Sequence, residues 1–161
     1  SMTQITRAVN EPILSFASGS PERASLQAKY DEMATQTIDI PLIIDGKEIK
    51  TGDRGNCIMP HKHQHVLATY HNPGEAEVIQ AIDAAMKSWT TWSTTTLEER
   101  TKIFRKAAEL LQGPWRDTIN AATMLNQSKN AFQAEVDAAC ELTELFNFIM
   151  VLNRFLKPCT N

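Results

Sequence analysis

The run His61-Lys62-His63-Gln64-His65 is the first place to look for chemistry in this chain. On an extended strand alternate residues share a face, so three imidazoles could converge there on a zinc or nickel ion. The run also follows Pro60 and reads as a solvated turn, with no carboxylate or cysteine at ligand spacing around it. No metal site is therefore assigned. Three thiols are available, Cys57, Cys140 and Cys159. An activated thiolate needs a nearby cation, a base or a helix N-terminus. Cys140 falls mid-helix on an apolar stripe, Cys57 in a strand and Cys159 near the last residue, so none is assigned as a nucleophile and no catalytic residue is named. No Gly-x-Gly-x-x-Gly, Walker-type loop or Gly-x-Ser-x-Gly elbow occurs, and the 6 glycines are dispersed. No cofactor-binding residue is assigned either.

Carboxylates offer a different chemistry. Glu135, Asp137, Glu141 and Glu144 decorate one helical stretch. Asp137, Glu141 and Glu144 stand at i, i+4 and i+7, which places them on one face of an α-helix. Such a cluster beside apolar stripes could receive a substrate ammonium. A solvated acidic strip is the alternative.

The elements that must position these groups follow from the pattern. A chain of 161 residues with 42% hydrophobic content suits one domain or a segment of a larger one. Its net charge of −3 supplies no electrostatic attraction to nucleic acid or an anionic membrane, and no apolar run is long enough for a membrane span. An odd number of widely spaced cysteines argues for a reducing compartment. Ser1-Met2 has the look of a cloning scar, ahead of which a transit peptide could have stood.

Residues 1–40 read as an arm and one helix. Ser20-Pro21-Glu22 is a helix start, and Leu26, Tyr30 and Met33 predict a helix over about 21–35. Residues 41–73 read as a small antiparallel β unit. It comprises a hairpin over 41–49 turning at Asp45-Gly46, then strands flanking the polar run 60–64. Residues 74–161 read as three or four helices. The first runs from about Glu75 to Trp89 and is broken by the polar stretch 90–96. Thr96 and Glu99 form a capping box for the next, over 97–112, which should bury Ile103, Phe104, Ala107, Leu110 and Leu111. Gly113-Pro114 starts a third. The last, over about 130–155, has two apolar stripes, one through Phe132, Val136, Cys140 and Thr143 and one through Leu142, Leu145 and Ile149. A helix apolar on two sides is normally covered on both, which predicts a missing partner surface. The fold class expected is an α+β segment, mostly α.

The run from Thr123 to Lys129, with Gln133-Ala134-Glu135-Val136-Asp137-Ala138-Ala139-Cys140-Glu141-Leu142, resembles the pyrroline-5-carboxylate dehydrogenase branch of the aldehyde dehydrogenase superfamily. Asn10-Glu11-Pro12, Gly19-Ser20-Pro21-Glu22-Arg23, Pro60-His61-Lys62-His63 and the run from Lys106 to Pro114 agree in order, so the resemblance covers about residues 8–155. It implies the N-terminal part of an α/β enzyme that oxidises L-glutamate γ-semialdehyde to glutamate with NAD, in proline catabolism. The implied setting is the mitochondrial matrix in eukaryotes and the cytoplasm otherwise, and the implied assembly is a homo-oligomer. The family's catalytic cysteine, activating glutamate, oxyanion asparagine and NAD loop match nothing in this chain. The resemblance places Glu141 on the substrate side, where it could orient the amino group. After Arg154 the likeness lapses, which fits a truncated product, a fragment or a shortened reading frame. The expected partner is the remainder of the dehydrogenase or another subunit. The alternative function is a non-catalytic helical interaction protein derived from that family.

Overall fold

The structure, a computed structural model, describes residues 9–156. It is mostly helical with small sheets, as the patterning implies. Backbone contacts divide the chain into two compact units. One takes the described residues up to Asp31, Thr96–Met124, and those from Lys129 onward; the other takes Glu32–Thr95 with Leu125–Ser128.

The first unit opens with the arm. Helix α1, Pro21–Ala34, follows it and buries Leu26. Its first turn is capped by Ser20, whose Oγ accepts from the Arg23 N–H at 3.3 Å. The hydroxyl of Ser25 on α1 donates to Asp117 at 2.5 Å.

In the second unit, strands β2 (Leu42–Ile44) and β3 (Lys47–Ile49) form the expected hairpin. Asp45 and Gly46 have φ of 52° and 73°, the two positive values that a type I′ turn requires. Replacing Gly46 by alanine should cost about 1 kcal/mol of stability, because a Cβ is strained at positive φ. Nothing lies within 4 Å of the added methyl, so the whole loss read by urea unfolding is backbone strain. Strands β4 (Arg54–Ile58) and β5 (Val66–His71) pair antiparallel, as expected. A short strand β1, Ile38–Ile40, adds in parallel to the other edge of β5, in the order β1-β5-β4. Its residues precede the expected β unit, and three residues are too few for a periodic signal. Side chains hold it. Asp39 accepts from Lys50 at 2.6 Å and Thr69 at 3.2 Å, and lies 3.2 Å from Nε2 of the buried His71. Chiefly because of the Lys50 ammonium, the Asp39 carboxyl is held down at about 2.

Helix α2, Glu75–Thr94, runs past Trp89 into the polar stretch before that stretch breaks it at Thr95. The hydroxyls of Thr94 and Thr95 each bond the Thr91 carbonyl at 2.9 Å, and that of Ser93 bonds the Thr90 carbonyl at 3.3 Å. Bonding back to the preceding turn lets Ser93 and Thr94 stay helical, while Thr95 is the extended residue that caps the end. The apolar stripe of α2 is present but uncovered: Val78, Ile79, Ile82, Met86, Trp89 and Trp92 are all exposed, Trp89 at 63%.

Returning to the first unit, α3 (Leu97–Gln112) begins at the capping box, with Glu99 N–H donating to Thr96 Oγ1 at 3.2 Å and Thr96 N–H to Glu99 at 3.1 Å. Its core contribution is narrower than the stripe suggested. Ala108 is buried and Phe104 packs on Phe146 with ring centroids 5.9 Å apart, while Ile103 and Leu110 are exposed. Helix α4, Arg116–Gln127, follows a turn over 113–115. The last helix is not uniform. A short α5, Ala131–Ala134, passes into a π turn, Glu135–Cys140, and then α6, Glu141–Leu156.

Candidate functional site

The π turn departs most from the expected geometry, and it lies within the carboxylate cluster. Its i→i+5 bonding is seen where the Glu141 N–H reaches the Val136 carbonyl. A turn of that kind holds one residue more than an α turn, so it changes the phase of everything after it. The three carboxylates meet different surroundings. Asp137 pairs with Lys129 at 2.5 Å, and Glu144 is half-buried and accepts the Glu11 N–H at 3.2 Å. Glu141 is exposed.

Glu135 does not join a solvated strip either; it is fully buried. Its carboxylate accepts from Nε of Arg116 at 3.2 and 3.3 Å and also from Nη2 of Arg116. It accepts further from Asn120 Nδ2 at 2.7 Å and from the Leu14 N–H at 2.9 Å. Burial pushes the Glu135 carboxyl up, but Arg116, the Leu14 N–H and Asn120 outweigh it and hold it below the ordinary value. Arg116 completes its fork on the arm, donating to Glu11 at 2.6 Å and to the Pro12 carbonyl at 2.8 Å. It is buried, and it stays charged because these carboxylates more than offset its desolvation. The arm is thus fastened to α4 and to the last helix by one ionic network.

Sequence reasoning missed Arg116, Asn120 and Glu11. The available signal was Arg116 and Asn120 at i, i+4, two polar residues on one face of a helix whose Ala121 is fully buried. What could not be read was the separation along the chain: Arg116 meets Glu11 across 105 residues.

The other candidates are placed as follows. Residues 59–65 form a turn, closed by Met59 N–H on the His65 carbonyl at 3.0 Å and His65 N–H on the Lys62 carbonyl at 2.8 Å. Being a turn, it loses the alternation that would have aligned His61, His63 and His65. His61 Nδ1 lies 2.7 Å from Ser128 Oγ, and among the described residues no histidine, cysteine, aspartate and glutamate group could hold a metal ion. Cys57 is half-buried and donates to Asn126 Oδ1 at 2.9 Å. Cys140 is buried, and its thiol is pushed up to about 11 by burial and by Glu135, despite Arg116. At neutral pH it is a protonated core residue. Cys159 lies outside the described residues.

A dinucleotide pyrophosphate is held by free backbone N–H groups at a helix N-terminus. At the starts of α2, α3 and α5 the cap N–H is met by the chain's own side chains: Glu77 on the Gly74 N–H at 2.8 Å, Glu99 on Thr96, and Gln133 on the Asn130 N–H at 3.1 Å. No described helix is long and apolar enough to cross a membrane.

The aldehyde dehydrogenase family model matches residues 48–157. The delta-1-pyrroline-5-carboxylate dehydrogenase of Agaricus bisporus is 45% identical over 140 residues, covering 86% of this chain and 26% of that protein. The mitochondrial delta-1-pyrroline-5-carboxylate dehydrogenase of Mus musculus is 38% identical over 146 residues, covering 91% and 26%. Among solved structures, the Delta-pyrroline-5-carboxylate dehydrogenase of Mycobacterium tuberculosis bound with NAD superposes with a TM-score of 0.92 at 39% identity. That superposition covers 97% of this chain and 29% of that one. The chain spans about a quarter of the length of the curated relatives it matches.

Proposed function

We propose, from the premise that the chain belongs to the aldehyde dehydrogenase family, that it is the N-terminal portion of an NAD-dependent L-glutamate γ-semialdehyde dehydrogenase of proline catabolism. The observation that supports this most is the 45% identity to a delta-1-pyrroline-5-carboxylate dehydrogenase over 86% of the chain. Residues 74–161 are then the helical part of the cofactor-domain region, led into by the arm (1–40) and the β unit (41–73). In a eukaryotic source the complete enzyme works in the mitochondrial matrix, a reading supported as far as the mitochondrion by the names of several relatives. Its partner is the remainder of the dehydrogenase, which covers the exposed apolar face of α2.

In the complete enzyme NAD accepts the hydride. What this segment contributes is substrate recognition. The exposed Glu141 carboxylate is suited to a charge-assisted bond from the amino group of the semialdehyde. That contact distinguishes an amino-acid aldehyde from an aliphatic one.

A second reading, a non-catalytic interaction protein, is favoured by the same uncovered α2 face. The two separate on the native protein purified from its source. A mass several-fold above 18.0 kDa, with NAD reduction on adding the semialdehyde, is the expected result. A mass near 18.0 kDa and no turnover would discard the enzyme reading.

A further inference from the structure

We propose that the buried Arg116–Glu135 pair, with Glu11, is a positioning device for Glu141; this rests on the reading of Glu141 as the partner of the substrate ammonium. Glu135 is the first residue of the π turn and Glu141 the first residue after it. The backbone of Glu141 itself closes the i→i+5 ring on Val136. Returned to α geometry, the segment would present Glu141 at a different angle around the helix. Something must hold the wider turn, because its bonding is the less common choice of the backbone.

The network holds it on both sides. Upstream, Glu135 is gripped by two side chains of α4 and by the Leu14 N–H of the arm. Downstream, Glu144 accepts the N–H of Glu11 at 3.2 Å, and the Glu11 carboxylate returns to Arg116 at 2.6 Å. Glu141 thus lies between two anchored glutamates, joined through one residue of the arm and one arginine. A buried ion pair is a poor device for stability compared with apolar packing of the same volume. Its strength is geometric: a planar fork accepts one arrangement of carboxylates. Arg116, Glu135 and Glu11 are positioning residues here, acting through Glu141 without touching the substrate.

The test is a double-mutant cycle in the full-length enzyme, with kcat and KM measured for L-glutamate γ-semialdehyde and for propionaldehyde. Glu135→Gln and Glu11→Gln are each made alone and with Glu141→Gln. Each single variant should lower the preference for the semialdehyde by about tenfold, mostly through KM. In the Glu141→Gln background neither should lower it further, since the residue they position is already lost. Glu11 lies at the rim, its side chain 13% exposed, so Glu11→Gln carries the test if Glu135→Gln does not fold. Unchanged preference in Glu11→Gln, or losses that multiply with Glu141→Gln, would overturn the positioning role while leaving Glu141 in place. If Glu141→Gln itself leaves the preference intact, the reading of Glu141 fails first, and positioning falls with it.

Discussion

Glu135→Ala lowers the stability of the protein by about 3–5 kcal/mol, because it strands a buried guanidinium. Arg116 is not wholly abandoned, since Glu11 and the Pro12 carbonyl remain within reach. The Asn120 amide and the Leu14 N–H, however, lose the acceptor that satisfied them. Each such loss adds about 1–3 kcal/mol where the donor stays buried. Apolar replacement of both partners, Arg116→Met with Glu135→Leu, is often neutral for an isolated buried pair. Here it should remain destabilising, because Glu11, the Pro12 carbonyl, Asn120 and Leu14 are all left with unmet groups. The urea midpoint of the single and double variants measures this. A double variant as stable as the parent would show that the arm's contacts contribute nothing.

The same carboxylate sets an acid limit. The folded Glu135 carboxyl titrates below its unfolded value of about 4.3, so its contribution is complete above that pH. It is lost as the pH falls through the folded value. Stability measured from pH 6 downward should therefore decline more steeply in the parent than in Glu135→Gln, which has no proton to take up. Parallel slopes would place the acid sensitivity elsewhere.

In the full-length enzyme Glu141→Gln should cost the semialdehyde about 2–3 kcal/mol of transition-state binding, the worth of one charge-assisted hydrogen bond. That is roughly 30–160-fold in kcat/KM. Propionaldehyde has no ammonium to place, so its loss should be several-fold smaller than that of the semialdehyde. Glutamine keeps the size of the side chain and one acceptor oxygen, so the difference between the substrates reports charge and not shape. Steady-state kinetics on the two aldehydes decide it, and equal losses would take the substrate ammonium away from Glu141.

What the sequence determined by itself was everything carried by neighbours along the chain. The Asp45-Gly46 hairpin needs two positive φ angles, and those residue types tolerate them. The start of α3 needs only Thr96 and Glu99, three positions apart. The membership of a dehydrogenase family came from runs of residues in order. The α2 stripe was legible as apolar periodicity, and its residues are exposed in the structure. Where local propensity misled, as at the threonines ending α2, side-chain hydroxyls bonded back to the helix and kept it intact.

The tertiary structure alone decided the site. Spacing of i, i+4 and i+7 assumes an α-helix, and the π turn changes the phase within the very stretch being counted. Glu135 looked like one more surface carboxylate, since acidic residues are seldom buried without a partner. Its partners lie on α4 and on the arm, 19 and 121 residues away, and no local rule connects them. Burial and charge pairing are properties of the assembled chain: a carboxylate becomes a core residue only when folding brings an arginine to meet it.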